Sequence, residues 1–254
     1  MTALDPVFLK TPIAHRALHG EGRPENSRAA VRAAVAAGYG IEIDLQPSAD
    51  GEAMVFHDYD LRRLTGETGV IRKRDAAELG RIALSGGDGE GIPTLREILA
   101  IVGGRVPLLV ELKDQHGRMG PTDGALEAAA ARALAGYTGP LAVMSFNGHA
   151  VARMGALRPD IPRGLTTSAF DEALWPHMPE ELRARLREAP EFERSGAMFI
   201  SHEHTDLDRP RVADIRATGV PVLSWTIRSE AEERAARRLA QNVTFECYRA
   251  AVPA

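Results

Sequence analysis

Two acidic side chains, two residues apart, give the strongest chemical signal in this sequence. Glu42 and Asp44 alternate with isoleucine and leucine in the run GIEIDL. Residues i and i+2 of a β-strand point to the same face, so the two carboxylates share one face and the apolar side chains share the other. Neighbouring carboxylates repel each other and are costly to desolvate, and a divalent cation bound by oxygen atoms offsets both costs. The pattern therefore predicts a metal site.

A third carboxylate and two histidines lie at the ends of other predicted strands. These residues are Glu111, His15 and His57. Carboxylate ligands suit a hard cation such as Mg2+ or Ca2+ and suit zinc poorly. Histidine titrates near neutrality and can give or take a proton. We therefore expect Glu42, Asp44 and Glu111 to bind the metal, with His15 and His57 as an acid/base pair beside it.

Arg16 and Lys113 are the candidate anion-binding residues. An arginine can bind a phosphate through two hydrogen bonds, and a lysine contributes a point charge. Lysine occurs only at Lys10, Lys73 and Lys113, whereas arginine is abundant. A lysine at the end of a strand is therefore harder to explain as a surface cation than an arginine is, and Lys113 is the stronger candidate.

The bulk composition excludes several classes of protein. The chain has 254 residues, 44% of them hydrophobic, and a formal net charge of -4, which is too balanced for a nucleic-acid binder. Cys247 is the only cysteine, so no internal disulfide forms. The N-terminal run MTALDPVFLKTP lacks the pattern of a signal peptide, and no apolar run is long enough to span a bilayer. We expect a single domain over residues 1–254, cytoplasmic, without stable membrane insertion and with a small-molecule substrate; the oligomeric state stays open.

Predicted strands and helices alternate along the chain. One helix ends at Gly38, and another begins after Thr94, which forms a capping box with Glu97. Because the alternation repeats about eight times, we expect an α/β fold, a (β/α)8 TIM barrel, with a doubly wound open sheet as the alternative. In a barrel the carboxyl ends of the strands share one mouth, where the polar residues meet. Within Phe170–Arg194 only Pro179–Leu186 is predicted to be a helix, and we expect the rest of the segment to be a lid or an elaborated loop.

Six short motifs occur in a characteristic order: H-R at 15–16, P-E-N-S at 24–27, E-I-D at 42–44, H-D at 57–58, E-L-K at 111–113 and W-T-I at 225–227. In this order the chain resembles the glycerophosphodiester phosphodiesterase family from about residue 12 onwards. The resemblance implies a TIM barrel that uses Mg2+ or Ca2+. It further implies hydrolysis of glycerophosphodiesters, such as glycerophosphocholine or glycerophosphoethanolamine, to sn-glycerol 3-phosphate and an alcohol.

The same resemblance implies a role for each motif residue. His15 and His57 become the acid/base pair. Arg16 and Lys113 hold the phosphate, and Trp225 packs against the glycerol. The metal ligands it implies are the three acidic residues Glu42, Asp44 and Glu111.

Three departures from the family pattern bear on the mouth of the barrel. Ala17 stands where the family has glycine, Thr244-Phe245-Glu246 stands where it often has a T-D-like motif, and Tyr59–Pro93 is shorter than the insert of some members. A methyl group at Ala17 restricts the backbone beside the phosphate. We expect the mouth to be covered differently from that of those relatives.

Two other functions remain as alternatives. His202-Glu203-His204 is an H-x-H pair, which binds zinc in amidohydrolase-like barrels. It occurs late in the chain, whereas that arrangement places the pair on the first strand. The second alternative is a non-catalytic barrel that binds phosphodiesters.

Overall fold

Eight parallel strands close into a barrel in the computed structural model, which describes residues 3–252. The sheet has nine strands in all, of which β3 lies outside the barrel. They are β1 (Ile13–Ala14), β2 (Gly40–Pro47), β3 (Ala53–Val55), β4 (Leu108–Leu112), β5 (Leu141–Ser145), β6 (Arg163–Thr167), β7 (Phe199–Glu203), β8 (Val222–Ile227) and β9 (Asn242–Phe245). Their order is β1-β9-β8-β7-β6-β5-β4-β2, and β1 closes the ring by pairing with both β2 and β9. The predicted TIM barrel is confirmed.

The remaining strand, β3, lies outside the ring. It pairs antiparallel with β2, with Leu45 opposite Val55. A short turn at Asp50-Gly51 connects the two strands, and such a short connection permits only antiparallel pairing. β3 therefore runs back alongside β2, and the N–H of Phe56 donates to the Asp44 carbonyl oxygen at 2.9 Å, which places His57 beside the acidic residues of β2.

Ten α-helices are described, and the longer ones occupy the connections between barrel strands. They are α1 (Arg28–Ala37), α2 (Arg62–Thr65), α3 (Ala76–Leu79), α4 (Leu95–Val102), α5 (Ala125–Ala133), α6 (Gly148–Leu157), α7 (Glu180–Arg187), α8 (Glu191–Ser195), α9 (Pro210–Ala217) and α10 (Glu230–Ala236). Gly38 ends α1 in the left-handed conformation, and Thr94 begins α4 with the predicted capping box. Within residues 3–252 no helix has the length and apolarity needed to cross a membrane.

The two faces of the barrel strands have different environments. On β2 the outward side chains Ile41, Ile43 and Leu45 are fully buried under the helices. Inside the barrel, Leu109 packs with Phe199 and Leu223 in a separate apolar cluster. Burying each such side chain contributes about 1.5–3 kcal/mol. Glu111 lies on the same face as Leu109, two residues further along, so the polar site lies above an apolar floor.

The segment between β6 and β7 is packed against the barrel. It contains α7, close to the predicted helix, and also α8, which the sequence pattern did not predict. Phe170 contacts Trp175 at a ring-centroid distance of 5.2 Å, and Trp175 contacts Phe146 at 5.1 Å. The N–H of Ala169 donates to Glu203, which anchors the beginning of the segment. These contacts hold the segment beside the mouth of the barrel.

Candidate active site

The three predicted metal ligands converge. The parallel register of β2 and β4 sets Asp44 opposite Glu111, and Glu42 precedes Asp44 by two residues on the same face. One carboxylate oxygen from each residue lies within 4.8 Å of the others. All three side chains are buried, at 1%, 1% and 5% exposure. A buried set of oxygen ligands at this spacing fits one hard cation such as Mg2+ or Ca2+.

Lys113 is the nearest positive charge to this cluster. Its Nζ lies 2.7 Å from Asp44 Oδ1 and 2.6 Å from Glu111 Oε1. Burial raises the pKa of Glu42 well above its ordinary value, and the charges of Asp44 and Glu111 add to the effect. The ammonium of Lys113 lowers the pKa of Asp44 despite burial. The three carboxylates outnumber the two nearby cations, Lys113 and Arg16, which is a further reason why a divalent cation suits the cluster.

A left-handed turn after β1 aims backbone donors at β2. Arg16 and Ala17 have φ values of 50° and 65°. The N–H of Arg16 donates to Glu42 Oε2, and the N–H of Ala17 donates to the Glu42 carbonyl oxygen, each at 2.9 Å. Glycine adopts such φ values without penalty, whereas alanine pays about 1–2 kcal/mol. The turn nevertheless forms with alanine, and the two hydrogen bonds fix it on Glu42.

The side chains of Arg16 and Asn26 also meet the acidic cluster. Arg16 Nη1 donates to Glu25 at 2.8 Å, and its Nε is buried 3.6 Å from Asp44 with no hydrogen-bond partner among the described residues. Asn26 donates from Nδ2 to Asp44 Oδ2 at 2.9 Å. The neighbouring Ser27 is the N-cap residue of α1, and its side chain accepts a hydrogen bond from the N–H of Ala30. Asn26 therefore orients one of the three predicted metal ligands, a role that the sequence did not indicate.

His15 is held by a carboxylate from the other end of the chain. Its Nδ1 lies 2.6 Å from Glu246 Oε2, and Arg228 Nε donates to Glu246 Oε1 at 2.8 Å. Burial lowers the pKa of His15, and Glu246 opposes that effect. Glu246 follows β9, which pairs with β1, so barrel closure creates the contact. The sequence showed Glu246 only as the acidic residue after the last strand.

His57 has an equivalent partner in Asp58. Nδ1 of His57 lies 2.7 Å from Asp58 Oδ1, and Arg63 Nε donates to Asp58 Oδ2 at 2.7 Å. Strand alternation would point the two neighbours apart, but β3 ends at Val55 and the rule does not reach them. Burial and Lys113 lower the pKa of His57. In both histidines a carboxylate takes Nδ1, which leaves Nε2 for chemistry.

Most of the predicted site residues line one cavity of about 160 Å³. They are His15, Arg16, Glu42, His57, Glu111, Lys113 and Trp225. Asp44 is not part of the cavity wall, but it contacts Lys113, which is. The wall also includes Thr244 and three residues that the sequence did not single out, Phe146, Thr166 and Arg228. Both histidines and the acidic cluster therefore share one pocket.

Trp225 contributes its ring surface to this cavity. Its Nε1 donates to the Ser201 carbonyl oxygen at 3.0 Å, and its ring meets Phe146 edge-on at a centroid distance of 5.5 Å. These contacts fix the orientation of the indole. Because its only donor already has a partner, Trp225 can contact a ligand only through the surface of its ring.

His202 takes no part in the cavity. It is 2% exposed; Nδ1 pairs with Thr167 Oγ1 at 2.8 Å and Nε2 with the Asp206 carbonyl oxygen at 3.1 Å. Both ring nitrogens are thus used in packing the barrel wall. No group of three potential ligands within residues 3–252 includes His202 or His204.

Sequence comparison gives one family. The sequence model of the glycerophosphoryl diester phosphodiesterase family matches residues 15–244, a span that includes every predicted site residue. The Bacillus subtilis protein YhdW, provisionally named a glycerophosphodiester phosphodiesterase, is 28% identical over 226 residues, or 86% of each chain.

Solved structures share the fold. A phosphodiesterase from Oleispira antarctica, in complex with the product sn-glycerol-3-phosphate, is 31% identical with a TM-score of 0.76 over 95% of this chain and 94% of that chain. A glycerophosphodiester phosphodiesterase from Thermotoga maritima is 20% identical with a TM-score of 0.68 over 92% and 94% of the two chains, a likeness of fold.

Proposed function

The chain belongs to the glycerophosphoryl diester phosphodiesterase family of hydrolases, and from that premise we propose a metal-dependent reaction that uses two histidines as acid and base. The products are sn-glycerol 3-phosphate and an alcohol, from substrates such as glycerophosphocholine or glycerophosphoethanolamine. One observation supports this most: His15 and His57 line the same cavity as Glu42 and Glu111. The product seen in the Oleispira antarctica structure supports the choice of substrate class.

Glu42, Asp44 and Glu111 are the proposed ligands of Mg2+ or Ca2+. Their oxygens already lie within reach of one ion. When bound, the cation neutralises negative charge that grows on the phosphoryl oxygens. Asn26 and the N–H of Arg16 each hold one ligand carboxylate in place through hydrogen bonds.

Arg16 and Lys113 are the proposed phosphate-binding residues. The Nε of Arg16 is a buried donor without a partner among the described residues, so a phosphate oxygen can satisfy it. Once the carboxylates are balanced by a cation, the Lys113 ammonium can also bind a phosphate oxygen. Trp225 closes the pocket against the carbon atoms of the glycerol.

The two histidines transfer the protons. One Nε2 takes a proton from the attacking hydroxyl, which belongs to water or to the glycerol of the substrate. The other gives a proton to the alcohol oxygen as its bond to phosphorus breaks. Glu246 and Asp58 each hold one ring through Nδ1. Nε2 is therefore the nitrogen of each ring that faces the substrate and exchanges the proton.

A divalent-metal titration tests this proposal. Chelator-treated protein is supplied with Mg2+ or Ca2+, and release of glycerol 3-phosphate is followed from glycerophosphocholine, glycerophosphoethanolamine and glycerophosphoinositol. We expect no release without metal and saturable recovery with at least one metal. Full activity after chelation would contradict the metal requirement, and no release from any of the three would contradict the substrate class.

The cytoplasmic location and the single-domain organisation stay predictions. The predicted domain covers residues 1–254, and its residues 1–2 and 253–254 lie outside the described residues.

A further inference from the structure

A second group of metal-ligating atoms lies at Nδ1 of His15. His15, His19 and Glu246 each place one ligand atom within 4.8 Å of the other two. His19 Nε2 lies 3.5 Å from Glu246 Oε2, the same oxygen that meets His15 Nδ1 at 2.6 Å. This group shares no ligand with Glu42, Asp44 and Glu111.

The ring of His19 points to a missing ligand. Its Nε2 is buried and has no hydrogen-bond partner among the described residues. A buried polar atom without a partner costs free energy that a bound ion or water recovers. We propose that His15, His19 and Glu246 form a second metal site, selective for zinc-like cations, whose occupation inhibits the enzyme.

The ligand set defines the class of metal. Two imidazoles and one carboxylate, with remaining positions for water, form a common zinc site, whereas Mg2+ and Ca2+ prefer oxygen ligands. The chain therefore has two metal sites near His15 that differ in the type of ligand atom. Excess Mg2+ should fill the carboxylate site and leave the second site to Zn2+ or Co2+.

A separate cavity gives the ion a route to these atoms. It measures about 250 Å³ and is lined by His19 and Glu246, together with Ala17, Leu18, Gly20, Arg23, Phe245, Cys247, Tyr248 and Arg249. The ion can thus arrive without passing the substrate pocket. Cys247 is exposed in this cavity but is not within the group of three close ligand atoms.

Arg228 limits the affinity of the site. It holds Glu246 through Oε1, whereas both histidines face Oε2. Glu246 Oε2 is therefore not held by Arg228 and can contact an ion. The positive guanidinium of Arg228 repels a cation at that position, which lowers its affinity. We expect the site to bind Zn2+ reversibly, as an inhibitory site rather than a structural one.

Inhibition follows from the position of the ion on His15. A metal on Nδ1 places the proton of the neutral imidazole on Nε2, so Nε2 cannot accept another. The proton cycle of His15 then stops. This consequence rests on the proposed function, whereas binding of the ion does not.

The test is a calorimetric titration of Zn2+ into protein held in excess Mg2+, with hydrolysis of glycerophosphocholine measured in parallel. His19→Gln removes the ligand nitrogen and keeps a polar side chain of similar reach. Cys247→Ser is the matched control from the same cavity. We expect His19→Gln to keep its turnover and to bind Zn2+ about tenfold or more weakly, and Cys247→Ser to behave as the wild type in both readouts.

Absorption bands of Co2+ bound in the presence of Mg2+ give a second readout, which His19→Gln should abolish. Equal Zn2+ affinity in His19→Gln and wild type, or loss of binding in Cys247→Ser, overturns the site. Binding that needs His19 but leaves hydrolysis unchanged supports the site and contradicts the acid/base role of His15 instead.

Discussion

Each histidine of the candidate active site is held by a carboxylate that an arginine holds in turn. Asp58 and Arg63 serve His57, and Glu246 and Arg228 serve His15. The arginine keeps the carboxylate ionised, so it accepts the Nδ1 hydrogen and stabilises a protonated ring. Asp58 and Glu246 are therefore positioning residues, and each also raises the pKa of the histidine that it holds.

Asp58→Asn tests this role at His57. Burial, Lys113 and Arg16 lower the pKa of His57, whereas Asp44 and Asp58 raise it. Removing one carboxylate that raises the pKa must lower it further. We expect the limb of the pH profile of kcat/KM that reports His57 to move to lower pH, and kcat to fall about tenfold or more.

Glu67→Gln, which changes an exposed carboxylate outside the cavity, is the control. The control should keep the wild-type profile. A pH profile that is the same in Asp58→Asn and in wild type would show that Asp58 does not act on the ionisation of His57.

The sequence could predict only part of this site. Glu42 and Asp44 share a strand, so alternation alone placed them together. Glu246 meets His15 across 231 positions, and that contact exists only because β9 pairs with β1. Asn26 resembled a helix cap, since asparagine is a common cap, and nothing local indicated its bond to Asp44.

At the scale of elements, local capping could be predicted well. Thr94 Oγ1 accepts from the N–H of Glu97, and the Glu97 side chain returns to the N–H of Thr94. Thr94→Ala removes half of this box and should lower the free energy of unfolding by about 1 kcal/mol. Thr138→Ala, at an exposed loop threonine, should be nearly neutral in the same denaturant titration. Equal stability of the two variants would rule out a contribution from the cap.

The segment Phe170–Arg194 was the hardest to predict. Phe170 and Trp175 pack on each other and on Phe146, but their spacing in the sequence follows neither a period of 2 nor one of 3.6. Through Phe146 the segment supports Trp225 at the cavity. The lid predicted from the sequence stays a prediction, whereas the contacts show a segment that supports a wall of the cavity.

Trp175→Ala should loosen that support. An aromatic pair contributes about 0.5–1.5 kcal/mol, so we expect KM for glycerophosphocholine to rise about two- to tenfold with little change in kcat. Steady-state kinetics measure the two separately. Leu174→Ala is the control, because Leu174 is 61% exposed and belongs to the same segment. A similar rise in KM for both variants would contradict a specific role for the Trp175 ring.

At the scale of the molecule, barrel closure creates the site. The residues that meet at the mouth are far apart in sequence, from His15 to Glu246. The predicted site residues and Glu246 come from or closely follow six strands: β1, β2, β3, β4, β8 and β9. Alternation of strands and helices predicted a parallel sheet, and about eight such units in this length favoured the closed barrel over the open sheet. It could not predict which strand lies outside the ring, since β3 differs from its neighbours only by the short turn before it.

The most direct test is a calorimetric titration of Mg2+ or Ca2+ into His57→Ala, His15→Ala and Glu111→Gln, with turnover of each variant recorded. The account predicts that both histidine variants bind the metal as the wild type does and have lost turnover, whereas Glu111→Gln has lost metal binding. Normal turnover in either histidine variant, or wild-type metal affinity in Glu111→Gln, would contradict it.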